Sequence, residues 1–72
     1  MTVRIVVGLE QDADSAHIRK QLLSSGAESV SVSEPTVLVA AAAESEAEKL
    51  MQRAKAIKGV RYVEREAFQS TF

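Results

Sequence analysis

The stretch SVSVSEPTVLVAAA, residues 29–42, predicts two neighbouring β-strands joined by a tight turn. In its first half valines alternate with serines, a pattern typical of a strand with one solvated face, and we expect an edge strand. The turn falls at EPT, residues 34–36, where proline pre-sets the backbone. Residues 36–42 predict the second strand, apolar on both faces, although the alanines at 40–43 could also begin a helix.

A strand and a helix precede this pair. Residues 2–9 carry β-branched side chains at alternate positions, which predicts a strand buried on at least one face. Either Asp12 or Asp14 can cap a following helix, because its carboxylate can accept backbone N–H bonds. The apolar residues of that helix share one stripe, and Gly26 supplies the left-handed residue that ends it.

A second helix and a last strand follow the pair. Ser45 and Glu48 form an S-x-x-E capping box, which predicts that the helix begins at Ser45 and not in the alanine run. From that cap, apolar residues recur at three- and four-residue spacing up to Ile57. Gly59 ends the helix, and residues 60–66 predict a fourth strand.

Two strand–helix–strand halves joined by a tight turn predict an α+β fold, the ferredoxin-like β-α-β-β-α-β sandwich. Right-handed crossovers place the first and third strands at the centre of a four-stranded antiparallel sheet, with two helices on one face. The other face stays open and is expected to carry short side chains, chiefly serine and alanine, which can accept a partner's helices. We expect a single domain over residues 1–66 and an extended C-terminal tail over residues 67–72.

Composition and charge exclude several classes of function. The chain has 72 residues, a net charge of -1 and no cysteine, so neither disulfides nor thiolate metal sites are expected. Basic residues are dispersed among acidic ones, and we expect neither nucleic acid nor membrane as a partner, and no cofactor. The N-terminal apolar run is too short for a signal peptide, which predicts a cytoplasmic protein as written, or a secreted one if a leader has been removed.

The sequence has little that suggests catalysis. His17 stands beside Arg19 and Lys20 and is interpreted as a solvated side chain. Met51 and Tyr62 are expected in the core. Three glutamates at the start of the second helix offset the helix dipole, which is a structural role. They are Glu44, Glu46 and Glu48. We therefore expect a protein that is not an enzyme and has no catalytic or metal-binding residues.

The most informative segment is GVRYVERE, residues 59–66. It resembles the segment G-V-x-Y-V-E-x-D/E that ends the propeptides of subtilisin-type serine proteases and the propeptide-like serine protease inhibitors related to them. The order of elements is similar over nearly all of the chain, and the specific match begins near Leu50. The resemblance implies an inhibitor of a subtilisin-type serine protease, a role that in the family extends to assisting the folding of the protease.

The resemblance also implies which residues bind the protease. Glu64 and Glu66 correspond to carboxylates that cap the N-termini of two protease helices, where unpaired N–H groups attract negative charge. Their spacing of two puts both on the same side of a strand. The tail would lie in the substrate cleft as an added strand. Phe72 would enter the primary specificity pocket, and the preceding subsites would hold Gln69, Ser70 and Thr71.

Two alternatives stay open at this point. A propeptide cut from its own protease after Phe72 and an independent inhibitor share these signals, and an initiator Met1 with no leader favours the second. A different class is a small non-catalytic regulatory or interaction domain that dimerises or binds a protein partner through its sheet. Val30 and Val32, with flanking serines, would form its pairing edge. We expect the free protein to be a monomer, while this last hypothesis admits a dimer.

Overall fold

The computed structural model describes residues 1–66 and contains the predicted order of strands and helices. The elements are β1 (Thr2–Leu9), α1 (Ser15–Ser24), β2 (Ser29–Glu34), β3 (Val37–Ala43), α2 (Glu44–Lys55) and β4 (Val60–Arg65). The predicted tail, residues 67–72, lies outside the described residues. Over residues 1–66, neither helix is long and apolar enough to cross a membrane.

The four strands form one antiparallel sheet in the order β2-β3-β1-β4. β1 and β3 are central, as predicted, and they pair from Thr2 opposite Ala43 to Gly8 opposite Val37. β2 and β4 are the two edge strands. Both helices pack their apolar sides into the same core against the sheet, which confirms the α+β arrangement predicted from the sequence.

One hydrophobic core lies between the sheet and the two helices. Every second residue of the two central strands faces this core, because side chains alternate along a strand. No polar or charged side chain of residues 1–66 is buried, so apolar packing stabilises the layer between sheet and helices. The side chains that are fully buried there are Ile5, Val7, Leu22, Leu38, Ala40, Ala42, Ala47, Leu50 and Ala54.

The alanine run at 40–43 is strand and not helix. Ala40 and Ala42 are fully buried in the core, whereas Ala41 and Ala43 are half-buried on the other side of the sheet. This period of two is that of a strand. β3 continues to Ala43 and joins α2 with no intervening loop.

The ends of α1 follow local sequence signals. Asp14 is the N-cap residue, and one of its carboxylate oxygens accepts from the backbone N–H of His17 at 3.1 Å. The other predicted candidate, Asp12, lies outside the helix. After the helix, Gly26 has a φ of +123°, a backbone conformation that residues other than glycine rarely adopt. The N–H of Ala27 then donates to the carbonyl of Leu22 at 3.1 Å, which closes the helix end.

The start of α2 differs from the prediction. The helix begins at Glu44, its N-cap residue is Ala43, and no side chain caps it, so the capping box of Ser45 and Glu48 was wrong. Instead, the N–H of Glu44 donates to the carbonyl of Met1 at 2.9 Å. Thr2 is paired with Ala43, and this pairing brings the carbonyl of Met1, the residue before β1, to the helix end. A contact between distant parts of the chain thus replaces a local cap.

Removal of a core side chain from α2 tests this packing. Leu50→Ala should lower the free energy of unfolding by about 2–5 kcal/mol, because apolar burial is lost and a cavity remains. Leu23→Ala is the matched control on α1, where 41% of the leucine is exposed, and it should cost about 1 kcal/mol or less. Urea unfolding followed by circular dichroism measures both variants. Equal losses would contradict the central place of Leu50 in the core.

Candidate protein-binding face

The side of the sheet away from the helices forms a continuous surface, which we call the open face. In β1, Arg4, Val6 and Gly8 lie on it, out of phase with the buried residues Ile5 and Val7. The strand register shows which residues of the neighbouring strands lie on the same face, because directly paired residues share a face. The other members of the open face are Thr2, Ser29, Ser31, Val37, Val39, Ala41, Ala43, Tyr62, Glu64 and Glu66.

The centre of the open face is aliphatic. Val6 is paired with Val39, and Val37 lies two residues away on β3; all three are half-buried. The serines are confined to the edge strand β2, where Ser31 stands beside Val39. The expectation of a face made chiefly of serine and alanine was therefore wrong at its centre, because two of the alanines of β3 fall on the core side and the valines on the open side.

Tyr62 also lies on the open face, and its expected place in the core was wrong. The register pairs it with Gly8, and 42% of the residue is exposed. The tyrosine ring occupies the space that a Cβ at position 8 would need. Glycine inside a strand often marks such a close approach, but Gly8 alone does not indicate which side chain lies over it. Met51, by contrast, is partly buried against the core, as expected.

The two predicted protease-binding carboxylates lie on the same side of β4. Glu64 is exposed and paired with Val6 at the centre of the sheet. Glu66 follows the end of β4, and its N–H donates to the carbonyl of Arg4 at 2.9 Å. Its Oε2 lies 3.5 Å from Nε of Arg4. Arg65, between the two glutamates, points to the helix side and lies 3.5 Å from Oε1 of Glu44 at the start of α2.

The tail residues of the predicted site, Gln69, Ser70, Thr71 and Phe72, lie outside the described residues. The structure thus places Glu64 and Glu66 but describes no geometry for the other predicted contacts. Tyr62 and Val6 are members of this face that the sequence reasoning missed. Their position became visible only through the register of β1 with β4.

The edge strand β2 is partly covered. Nε of Arg19, on α1, donates to the carbonyl of Val30 at 3.2 Å, so one carbonyl on the outer side of this edge has a partner. Val32, two residues along, is 61% exposed. Charged side chains and covered carbonyls reduce the tendency of an edge to pair with another chain.

Other polar groups of the described chain are dispersed. His17 is exposed, and its Nε2 lies 3.3 Å from Nε2 of Gln21 on the same helix. A groove of about 790 Å³ runs beside α1 and has charges of both signs in its wall, including Glu10 and Lys58. Within residues 1–66, no three histidine or carboxylate side chains are grouped so that they could hold a metal ion.

No protein-family model matches this chain, and a search among curated proteins finds no significantly similar sequence. The resemblance of residues 59–66 to subtilisin-type propeptides stays a prediction. The structure adds where the residues of that segment lie: Val63 is in the core, while Tyr62, Glu64 and Glu66 lie on the open face.

The close contact of Tyr62 with Gly8 can be tested by stability. Gly8→Ala should lower the free energy of unfolding by about 1–3 kcal/mol, because the new methyl group must displace the ring. In a Tyr62→Ala background the same change should cost clearly less, since the obstructing ring is gone. Urea unfolding of the parent, both single variants and the double variant gives the coupling. Additive effects would show that the ring does not lie over Gly8.

Proposed function

We propose that this chain inhibits a subtilisin-type serine protease by docking the open face on the enzyme and placing residues 69–72 in the substrate cleft. The observation that carries the proposal is the alternation within residues 59–66. Val63 packs into the core, and Tyr62, Glu64 and Glu66 line one side of β4 next to the aliphatic centre. The two carboxylates that the resemblance assigns to the protease, Glu64 and Glu66, therefore share one exposed face.

The composition of the open face suits a protein partner. A half-buried aliphatic centre around Val6 and Val39 is bordered by serines on β2 and by charges on β4. Protein interfaces typically have such an apolar centre with a polar rim, and tyrosine is enriched in them. Tyr62 provides an aromatic side chain whose position is set by the glycine beneath it.

The spacing of the two carboxylates limits the form of the partner surface. Residues two apart on a strand are separated by about 6.6 Å, because a strand rises about 3.3 Å per residue. Helices packed side by side have axes about 8–10 Å apart. Long glutamate side chains on Glu64 and Glu66 can span this difference, so the N-termini of two neighbouring helices are suitable partners.

The area of the face explains why a second contact is needed. Four strands at a spacing of about 4.8 Å, each about 20 Å long, make a flat surface of roughly 400 Å². A stable interface buries about 800 Å² on each partner. The tail would supply the remaining contact, and its short connection to Glu66 would keep it at high effective concentration near the cleft.

A dimer or interaction domain is the second candidate, because Val32 on the edge strand β2 is 61% exposed. The bond from Arg19 to the carbonyl of Val30 opposes it, since a pairing strand would have to displace that side chain. This candidate predicts a solution mass of twice the chain mass, and a chain that is still a dimer when residues 69–72 are removed.

Truncation of the tail is the first test of the proposed function. The parent chain should inhibit a subtilisin-type protease acting on a chromogenic peptide, and a chain lacking Gln69 to Phe72 should lose most of that inhibition because the cleft contact is gone. Both chains should unfold at the same temperature. Equal inhibition by the two chains would exclude the cleft mechanism. If the parent chain does not inhibit the protease, does not bind it and is not cut by it, the second candidate, an interaction domain, would be favoured.

The charge on the open face gives a second test. Glu64→Gln should weaken inhibition about twofold to thirtyfold, because a carboxylate at a helix N-terminus contributes about 0.3–2 kcal/mol. Glu48→Gln is the matched control, since Glu48 is exposed on α2, on the helix side of the sheet. Inhibition constants at low ionic strength measure both variants. An equal effect of the two changes would indicate that charge at position 64 has no specific role.

A further inference from the structure

Arg4 and Glu66 are the two oppositely charged residues in contact on the open face. Nε of Arg4 lies 3.5 Å from Oε2 of Glu66, with side-chain exposures of 55% and 38%. The two residues are also joined through the backbone, because the N–H of Glu66 donates to the carbonyl of Arg4 at 2.9 Å. Glu66 is therefore bonded to Arg4 through the backbone, and its carboxylate lies beside the guanidinium where the chain leaves the sheet.

Glu64 is in a different situation. It is exposed on β4, its cross-strand neighbour is the aliphatic Val6, and among residues 1–66 no cation lies within ion-pair distance of it. The two carboxylates that the resemblance treats alike thus differ in this chain. Within the described residues, Glu64 has no cation beside it, whereas Glu66 lies 3.5 Å from an arginine.

We propose that Arg4 is a positioning residue of the open face, and that it holds the carboxylate of Glu66 in the orientation used for binding. This inference rests on the proposed function. The contact of Arg4 involves Oε2, so Oε1 remains available to accept an N–H bond from the end of a partner helix. A free glutamate side chain loses conformational entropy when it binds, and a side chain that is ordered beforehand loses less.

Arg4 has a second effect on the face. The positive charge of Arg4 offsets the negative charge of Glu66, so the pair adds no net charge at the docking surface. The negative charge of Glu64 has no such partner among residues 1–66. Binding through Glu66 should therefore depend on Arg4, whereas binding through Glu64 should not. The contributions of the two carboxylates to binding should therefore respond differently to the loss of Arg4.

A double-mutant cycle measures this dependence. Arg4→Gln should weaken inhibition of the subtilisin-type protease about threefold to tenfold, which is the effect expected for one flexible side chain left unordered. In a Glu66→Gln background the same change should have little effect, and in a Glu64→Gln background it should keep its full effect. Arg4→Lys should recover part of the loss, since lysine keeps the charge without the planar group.

The controls separate this role from a merely structural one. All variants retain the backbone bond between residues 4 and 66, and their thermal unfolding should match the parent. Lys49→Gln removes a positive charge from the exposed side of α2 and should leave inhibition unchanged. The effect of Arg4→Gln should shrink at high salt, because ion pairs at exposed sites are screened.

The outcomes distinguish the two proposals. The role of Arg4 alone would be overturned if the parent chain inhibits but Arg4→Gln does not weaken that inhibition, or weakens it equally in the Glu66→Gln background. A parent chain that does not inhibit at all would overturn the proposed function and this inference with it. Coupling of Arg4 with Glu66, and not with Glu64, is the result that supports the proposal.

Discussion

The pairing of β1 with β3 determines both surfaces of this sheet. Ile5 opposite Ala40 and Val7 opposite Leu38 put the apolar residues of the central strands under the helices. A shift of one residue would exchange the two faces, because side chains alternate with a period of two. The same register brings Met1 to the start of α2. The core, the helix cap and the open face thus depend on one set of strand contacts.

Sequence reasoning predicted the elements whose signals are local. The alternation in β1 and β2, an aspartate cap at position 12 or 14 and the left-handed Gly26 each act within a few residues. The structure contains these features, with Asp14 as the cap. The start of α2 was missed because the N–H of Glu44 bonds to the carbonyl of Met1, and no side chain caps the helix. Local propensity is a weak guide wherever a distant part of the chain supplies the hydrogen bond.

The candidate site was predictable only in part. The spacing of Glu64 and Glu66 implies a shared side of a strand, and both lie there. Tyr62 was expected in the core, but its neighbour Val63 occupies the core side of β4. Its contact with Gly8 and the contact of Arg4 with Glu66 join opposite ends of the chain. Period and composition carry no information on such pairings.

The position of β4 has a consequence for how the chain reaches its native state. Among residues 1–66, β4 is the last element and pairs with β1, the first, so the fourth strand cannot join the sheet until nearly all of these residues have been synthesised. Pairings between distant segments raise the contact order and slow folding. Until that closure, the apolar residues of β1 lack one of their two neighbouring strands. The strand with the candidate binding residues is therefore also the strand that completes the fold. During synthesis, the candidate binding face would form in the same step as the complete sheet.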